Sequence, residues 1–70
     1  MKVQILYVSE HQGRWRVRRC GSALVIKDAF EEAVKAARRL AVTASAGGVP
    51  AELRIGRRDA SYEVEGVYSD

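Results

Sequence analysis

In residues 28–47, DAFEEAVKAARRLAVTASAG, apolar side chains recur at the i, i+3, i+4, i+7 spacing of one helical face. This pattern predicts an amphipathic helix over about residues 29–45, with Asp28 as its N-cap and Glu31 completing a capping box. The glycines that begin at Gly47 predict its end. The apolar face consists of Phe30, Ala33, Val34, Ala37, Leu40, Ala41 and Ala44. Because most of these residues are small, the helix can pack closely against a sheet.

Alternating apolar and polar residues on either side of the helix predict β-strands. Before the helix we expect three strands in an antiparallel meander, at residues 1–9, 14–20 and 23–27, with a glycine-containing turn at residues 10–13. After it we expect a fourth strand at residues 51–56, a possible fifth at 62–68, and a loose tail from about residue 69. The predicted fold class is α+β, with the elements in the order β-β-β-α-β-β along the chain. The strands form an antiparallel sheet, and the helix packs on one of its faces.

The predicted second strand is strongly patterned. Successive side chains of a strand point to opposite faces, so Arg14, Arg16 and Arg18 share one face while Trp15 and Val17 share the other. We therefore expect Trp15 and Val17 to anchor the strand beneath the helix. The three arginines then face away from the helix.

This arginine-bearing face has two interpretations. It could bind the phosphates of a nucleic acid through its arginines, with nearby tyrosines as surfaces on which bases stack. The arginines would be Arg14, Arg16, Arg18, Arg54, Arg57 and Arg58, and the tyrosines Tyr7, Tyr62 or Tyr68. Alternatively, Glu63 and Glu65, or Glu52, could lie opposite the arginines and neutralise them, which is the more common role of charge on a sheet surface. The strand order decides between the two.

The length of the chain also bears on function. Its 70 residues form a single domain (residues 1–70) that buries only about 60% of its unfolded surface. A lone cysteine, Cys20, cannot form an intramolecular disulfide, so self-association is the expected aid to stability. One helix covers one sheet face only, and we place Leu6, Val8 and Val67 on the outer face. The leading hypothesis is thus a non-enzymatic interaction module, a homodimer formed through the uncovered sheet face or an edge strand; DNA or RNA binding is the alternative.

Other function classes find little support. Twelve Lys and Arg against nine Asp and Glu give a net charge of +3, a mild excess compatible with nucleic-acid contact. The alternating start of the chain predicts no cleavable leader, and no run is long enough to span a membrane, so we expect a cytoplasmic protein. The single histidine, His11, lies in the turn before the predicted second strand, and the single cysteine, Cys20, lies at the far end of that strand. Two such residues are too few for a metal site and too far apart for a catalytic dyad. We therefore expect no catalytic residues, no cofactor and no small-molecule substrate.

Short motifs along most of the chain are similar to those of a known family. They are residues 13–17 (GRWRV) after a first strand, the helical stretch 32–41 (EAVKAARRLA), and residues 52–55 (ELRI) followed by Asp59. In these the chain resembles the small bacterial family catalogued as domain of unknown function 2188. The resemblance implies a fold and supplies no catalytic residues. Three strands backed by one helix are also similar to DNA-binding domains of plant transcription factors and integrase arms, which lay such a sheet in the major groove.

Overall fold

The order of secondary-structure elements in the computed structural model, which describes residues 3–19, 22–57 and 61–69, is the predicted β-β-β-α-β-β. The elements are β1 (Gln4–His11), β2 (Arg14–Arg19), β3 (Ser22–Lys27), α1 (Phe30–Ala46), β4 (Ala51–Gly56) and β5 (Tyr62–Tyr68). The α+β class and the five strands that alternation predicts are confirmed.

The five strands form one sheet in the order β3-β2-β1-β4-β5. The meander β1-β2-β3 is antiparallel, as is the pair β4-β5, but β1 and β4 are parallel. The prediction of a purely antiparallel sheet is therefore wrong at this pair. The reason is the helix, which returns the chain to the end of the sheet where β1 begins. The Gln4 N–H donates to the Pro50 carbonyl oxygen at 2.8 Å, so β4 starts beside the start of β1 and runs with it.

The turn between β1 and β2 has two residues. Gln12 and Gly13 have φ values of 53° and 80°, and His11 and Arg14 are register partners on either side of them. Positive φ at both central positions is typical of the type I′ hairpin turn, whose twist matches that of the strands. This turn fixes which β2 side chains share a face with those of β1.

The hydrophobic core lies between α1 and one face of the sheet. It is built of residues that are at most 1% exposed, namely Leu6, Val8, Val17, Ala33, Ala37, Ala41, Ala51 and Leu53. Trp15 packs against this core, with its ring centroid 4.8 Å from that of Phe30. The expectation that Trp15 and Val17 anchor β2 beneath the helix is confirmed.

The placement of Leu6 and Val8 on the outer face is wrong, because both belong to the core. The strand β1 is apolar on both sides, so its alternation does not reveal which side the helix covers. Its outward residues include Ile5, which is 38% exposed, and Tyr7.

The helix begins one residue later than its sequence signal predicts. Ala29 is the N-cap, with extended backbone dihedrals and no side-chain hydrogen bond to the first turn. The prediction of Asp28 as N-cap is therefore wrong, and the Asp28 Oδ1 lies instead 3.3 Å from the Arg14 Nε. At the other end the Gly47 N–H donates to carbonyl oxygens of the last helical turn, so the predicted glycine stop is confirmed. Seventeen residues of mixed polarity make α1 neither long nor apolar enough to cross a membrane.

Candidate functional site

The sheet face turned away from α1 is the candidate site, and we call it the open face. Its residues follow from the strand registers: Ile26 on β3; Arg14, Arg16 and Arg18 on β2; Ile5, Tyr7 and Ser9 on β1; Glu52, Arg54 and Gly56 on β4; and Tyr62, Val64 and Val67 on β5. The three β2 residues form the arginine stripe. Ile5 on β1 and Val64 and Val67 on β5 are apolar, and we call them the apolar strip, although Glu52 of β4 lies between Ile5 and Val67 in the strand register. The open face is thus cationic on β2, and toward β5 it combines apolar side chains with the Glu52–Arg54 ion pair.

The three arginines of the stripe differ in their partners. Arg14 contacts Asp28, but both side chains are mostly exposed, so this ion pair is weak. Within residues 3–19, 22–57 and 61–69, no carboxylate forms an ion pair with Arg16 or Arg18. Their Nε atoms are shielded from solvent and have no hydrogen-bond acceptor in the same described residues. Two positive charges therefore lie side by side on β2, and no acid of the described part of the chain pairs with them.

The acids that could have neutralised the stripe lie elsewhere. The strand β5 is three strand spacings, about 14 Å, from β2. Glu63 pairs with Arg57 at 2.6 Å, and Glu65 accepts a hydrogen bond from the Arg38 Nε of the helix at 3.0 Å. In the register of β4 and β5, Leu53 pairs with Gly66 and Arg54 pairs with Val64, so Glu65 is the extra residue of a β-bulge. Its side chain is turned toward α1. Cross-strand neutralisation of the stripe by Glu63 and Glu65 is therefore wrong.

The remaining predicted cations have acidic partners or lie outside the described residues. The Arg54 Nε donates to Glu52, two residues away on the same face of β4, and this hydrogen bond raises the pKa of Arg54 above its ordinary value. Arg57, at the end of β4, pairs with Glu63. Arg58 lies outside the described residues. Among the six predicted cations, Arg16 and Arg18 thus differ from the others described in having no acid beside them.

Two of the three tyrosines lie on the open face, between the stripe and the β5 edge. The rings of Tyr7 and Tyr62 are in edge-to-face contact, with centroids 6.4 Å apart and an interplanar angle of 67°. The Arg18 Cζ lies 5.5 Å from the Tyr7 ring centroid, and the Arg54 Cζ lies 4.4 Å from that of Tyr62. These distances are within cation–π range. A continuous arginine–tyrosine row therefore crosses the sheet from β2 to β5.

Tyr68 is on the other side of the sheet. It is the register partner of Ala51, packs against the core, and donates a hydrogen bond from its hydroxyl to the Glu65 Oε2 at 3.3 Å. The structure therefore brings together two of the three tyrosines that the sequence offered as stacking surfaces.

Gly56 makes room for this row, a role that the sequence analysis missed. A Cβ built on Gly56 would lie 2.6 Å from the Tyr7 Cε1, well inside van der Waals contact. The Tyr7 ring therefore lies directly over the Gly56 backbone. A glycine that ends an alternating strand is the signal in the sequence, since a glycine there permits close approach of another group.

A shallow groove of about 260 Å³ lies at the hairpin end of the stripe. It is lined by His11, Gln12, Arg14, Arg16 and Ile26. The groove is open and cationic, which suits an extended chain that enters from solvent. Among the described residues no three His, Cys, Asp or Glu side chains are grouped so as to hold a metal ion.

Comparison with known protein families, with curated proteins and with solved structures returned no match for this chain. The resemblance to domain of unknown function 2188 therefore stays a prediction.

Proposed function

We propose that this protein is a non-enzymatic nucleic-acid-binding module whose open sheet face holds the phosphate backbone. One observation carries the proposal: Arg16 and Arg18 lie side by side on β2, with no acid paired to them among the described residues. A guanidinium binds phosphate bidentately through its planar array of donors. Phosphates would supply the negative charge that these guanidinium groups lack among the described residues.

The charge distribution supports this assignment. Three of the four acids in the described strands pair with cations other than the stripe: Glu52 with Arg54, Glu63 with Arg57 and Glu65 with Arg38. The fourth, Glu10, is the register partner of Trp15 and so lies on the helix side of β1. A polyanion that approaches the stripe therefore meets positive charge with little competing negative charge on the same strand. Asp28, the acid that pairs with the stripe among the described residues, has a side chain that is 84% exposed and can exchange its partner at low energetic cost.

The test is binding of a fluorescent oligonucleotide, measured by anisotropy across a salt series from about 50 to 200 mM. The variant is the double substitution Arg16→Gln/Arg18→Gln. Its matched control is Lys35→Gln/Arg39→Gln, which removes the same charge from exposed positions of α1. Affinity should fall about 10-fold or more in the stripe variant, and the slope of log K against log [salt] should become shallower by about 1.4 for a single-stranded probe, at about 0.7 per phosphate contact, or by about 1.8 for a duplex, at about 0.9.

The control should keep the wild-type slope. Equal losses in the two double variants would mean that only net charge matters and would reject the stripe as the site. No binding by the wild-type protein, even at the lowest salt, would reject the proposal itself.

Self-association is the second candidate, and the apolar strip favours it. Val64 and Val67 are 47% and 64% exposed on the same face as Ile5. A strip two strand spacings, about 10 Å, wide and one seven-residue strand, about 23 Å, long covers only about 230 Å², which is far below the roughly 800 Å² per partner that a standard interface buries. We therefore rank this candidate below nucleic-acid binding.

Sedimentation equilibrium tests the second candidate with a matched pair of variants. Val67→Lys places a charge in the strip, and Val42→Lys places one at a similarly exposed position, 53% accessible, on α1. If the open face self-associates, the first variant is monomeric and the second behaves like the wild type. A wild-type protein that is monomeric at high concentration removes this candidate.

A further inference from the structure

The width of the sheet limits the kind of nucleic acid that the open face can contact. Five strands place the outer strands about 19 Å apart, whereas the major groove of B-DNA is about 12 Å wide and admits a helix or a two-stranded ribbon. The stripe is on β2, flanked by β3 on one side and by β1, β4 and β5 on the other. The arginines therefore cannot enter a groove without their neighbours. A flexible single strand can instead lie across the open face.

The chemistry of the face changes along the arginine–tyrosine row. At the β2 end Arg16 and Arg18 carry positive charge, and no acid among the residues that the structure describes pairs with either. Toward β5 the charge of Arg54 is offset by Glu52, and the exposed groups are the Tyr62 ring, 48% accessible, and aliphatic side chains. A nucleotide has the same division, since its phosphate is anionic and its base presents a π-face. The row therefore matches phosphates on β2 and bases near β5.

The tyrosines are held in place for such a contact. The Tyr7 ring lies over Gly56 on one side of the row, and Tyr62 has the Arg54 guanidinium 4.4 Å from its ring centroid. Aromatic rings held in this way lose little conformational freedom on binding a base. Base stacking on an aromatic side chain tolerates every sequence, because every base has a π-face.

From this we infer that the ligand is a single-stranded nucleic acid, with its phosphates on Arg16 and Arg18 and a base stacked at the Tyr7–Tyr62 pair. The inference rests on the proposed function and narrows its ligand. Stacking and phosphate contacts are common to DNA and RNA, so both should bind with similar affinity.

The experiment compares three fluorescent probes by anisotropy: an oligodeoxyuridylate of about 12 nucleotides, which is within the site sizes of small single-strand-binding domains, the corresponding oligouridylate, which differs from it only in the sugar, and a DNA duplex of equal length. The wild-type protein should bind both single strands about 10-fold or more tightly than the duplex. Tyr62→Leu should weaken single-strand binding by about 5-fold to 100-fold and leave the salt slope and the duplex affinity unchanged. Tyr62→Phe, which keeps the ring, should retain wild-type affinity. Circular dichroism checks that each variant is folded.

Each alternative result has a distinct meaning. Duplex binding as tight as single-strand binding would overturn this inference and leave the proposed function intact. Wild-type affinity in Tyr62→Leu would overturn the stacking contact. A preference of more than about 10-fold for the ribose or the deoxyribose probe would also overturn it, because it would require recognition of the 2′ position of the sugar in place of stacking. A failure of all three probes to bind would instead reject the proposed function.

Discussion

The two faces of the sheet are built from alternate residues of the same strands, yet they differ in what they contribute. On β2, Val17 is fully buried beneath α1, while its neighbours Arg16 and Arg18 lie on the open face and have no acidic partner within residues 3–19, 22–57 and 61–69. The helix-covered face supplies the buried apolar area from which a small domain derives its stability. The open face carries charge and exposed rings that contribute little to it. Stability and binding should therefore be separable by substitution.

The largest effect is expected from removing a core side chain. Leu53→Ala on β4 deletes a fully buried leucine and should cost about 2–5 kcal/mol of unfolding free energy, which is most of what a domain of this size has. Its control, Val67→Ala on the open face of the next strand, should change stability by about 0.5 kcal/mol or less. Urea denaturation followed by circular dichroism measures both. Comparable losses would show that the open face is covered in solution.

The second effect concerns the close approach of Tyr7 to Gly56. Gly56→Ala forces the ring away, and overpacking of this kind costs about 1–3 kcal/mol. In a Tyr7→Ala background the clash is gone, so the same substitution should be neutral or stabilising, since alanine in a strand is favoured over glycine by about 0.5–1 kcal/mol. A double-mutant cycle of urea-denaturation free energies measures this change of sign. Additive effects of the two substitutions would contradict the predicted contact.

Gly56→Ala also tests whether binding on the open face can be changed without disturbing the core. It lies on the open face, so it should reduce single-strand affinity by displacing Tyr7 while the core beneath α1 stays packed. Unchanged affinity with the ring displaced would assign the stacking contact to Tyr62 alone.

The sequence predicts the two faces well where one side of a strand is clearly polar. The alternation in β2 separates Arg16 and Arg18 from Val17 without ambiguity, and the periodicity of α1 identifies its buried alanines. It fails for β1, where Ile5 on one side and Leu6 on the other are equally apolar. Only the packing of the helix decides between them.

The strand order is the other feature that alternation does not contain. Local patterns predict five strands, but the parallel pairing of β1 with β4 follows from where the helix ends. That pairing places β5, with Glu63 and Glu65, at the edge away from the stripe. The partners of the arginines therefore depend on long-range topology and were left open by the sequence.

A third, smaller effect is expected at the start of the helix. Ala29 has the extended conformation of an N-cap but makes no capping hydrogen bond, and Glu32 occupies the third helical position. Ala29→Ser would complete a capping box with Glu32 and should stabilise the protein by about 1 kcal/mol. Since this change lies on the helix side, nucleic-acid affinity should not change. Ala29→Val, which cannot cap, is the control and should give no gain in the urea midpoint.

The smallest effect is expected for a cation on the helix side that does have a partner. Arg38 of α1 donates hydrogen bonds to Glu65, which raises the pKa of Arg38 above its ordinary value. The stabilising contribution of a raised pKa is complete below the unfolded-state value and is lost only when the pH rises through the folded-state value, which for arginine is far into the alkaline range. Salt is therefore the practical probe of this pair, because exposed ion pairs are screened.

Arg38→Gln should lower the urea midpoint only slightly at low salt, since the Arg38 side chain is 53% exposed and such pairs contribute little. The difference from Arg39→Gln, which removes an equal charge one residue along the same helix, should vanish at about 1 M salt, where the screening length is about 3 Å. Both variants should bind the oligonucleotide with the wild-type salt slope. A shallower slope of log K against log [salt] in Arg38→Gln alone would mean that phosphates also contact the helix side. The two faces would then not be separate at the β5 edge, where Glu65 links that edge strand to α1.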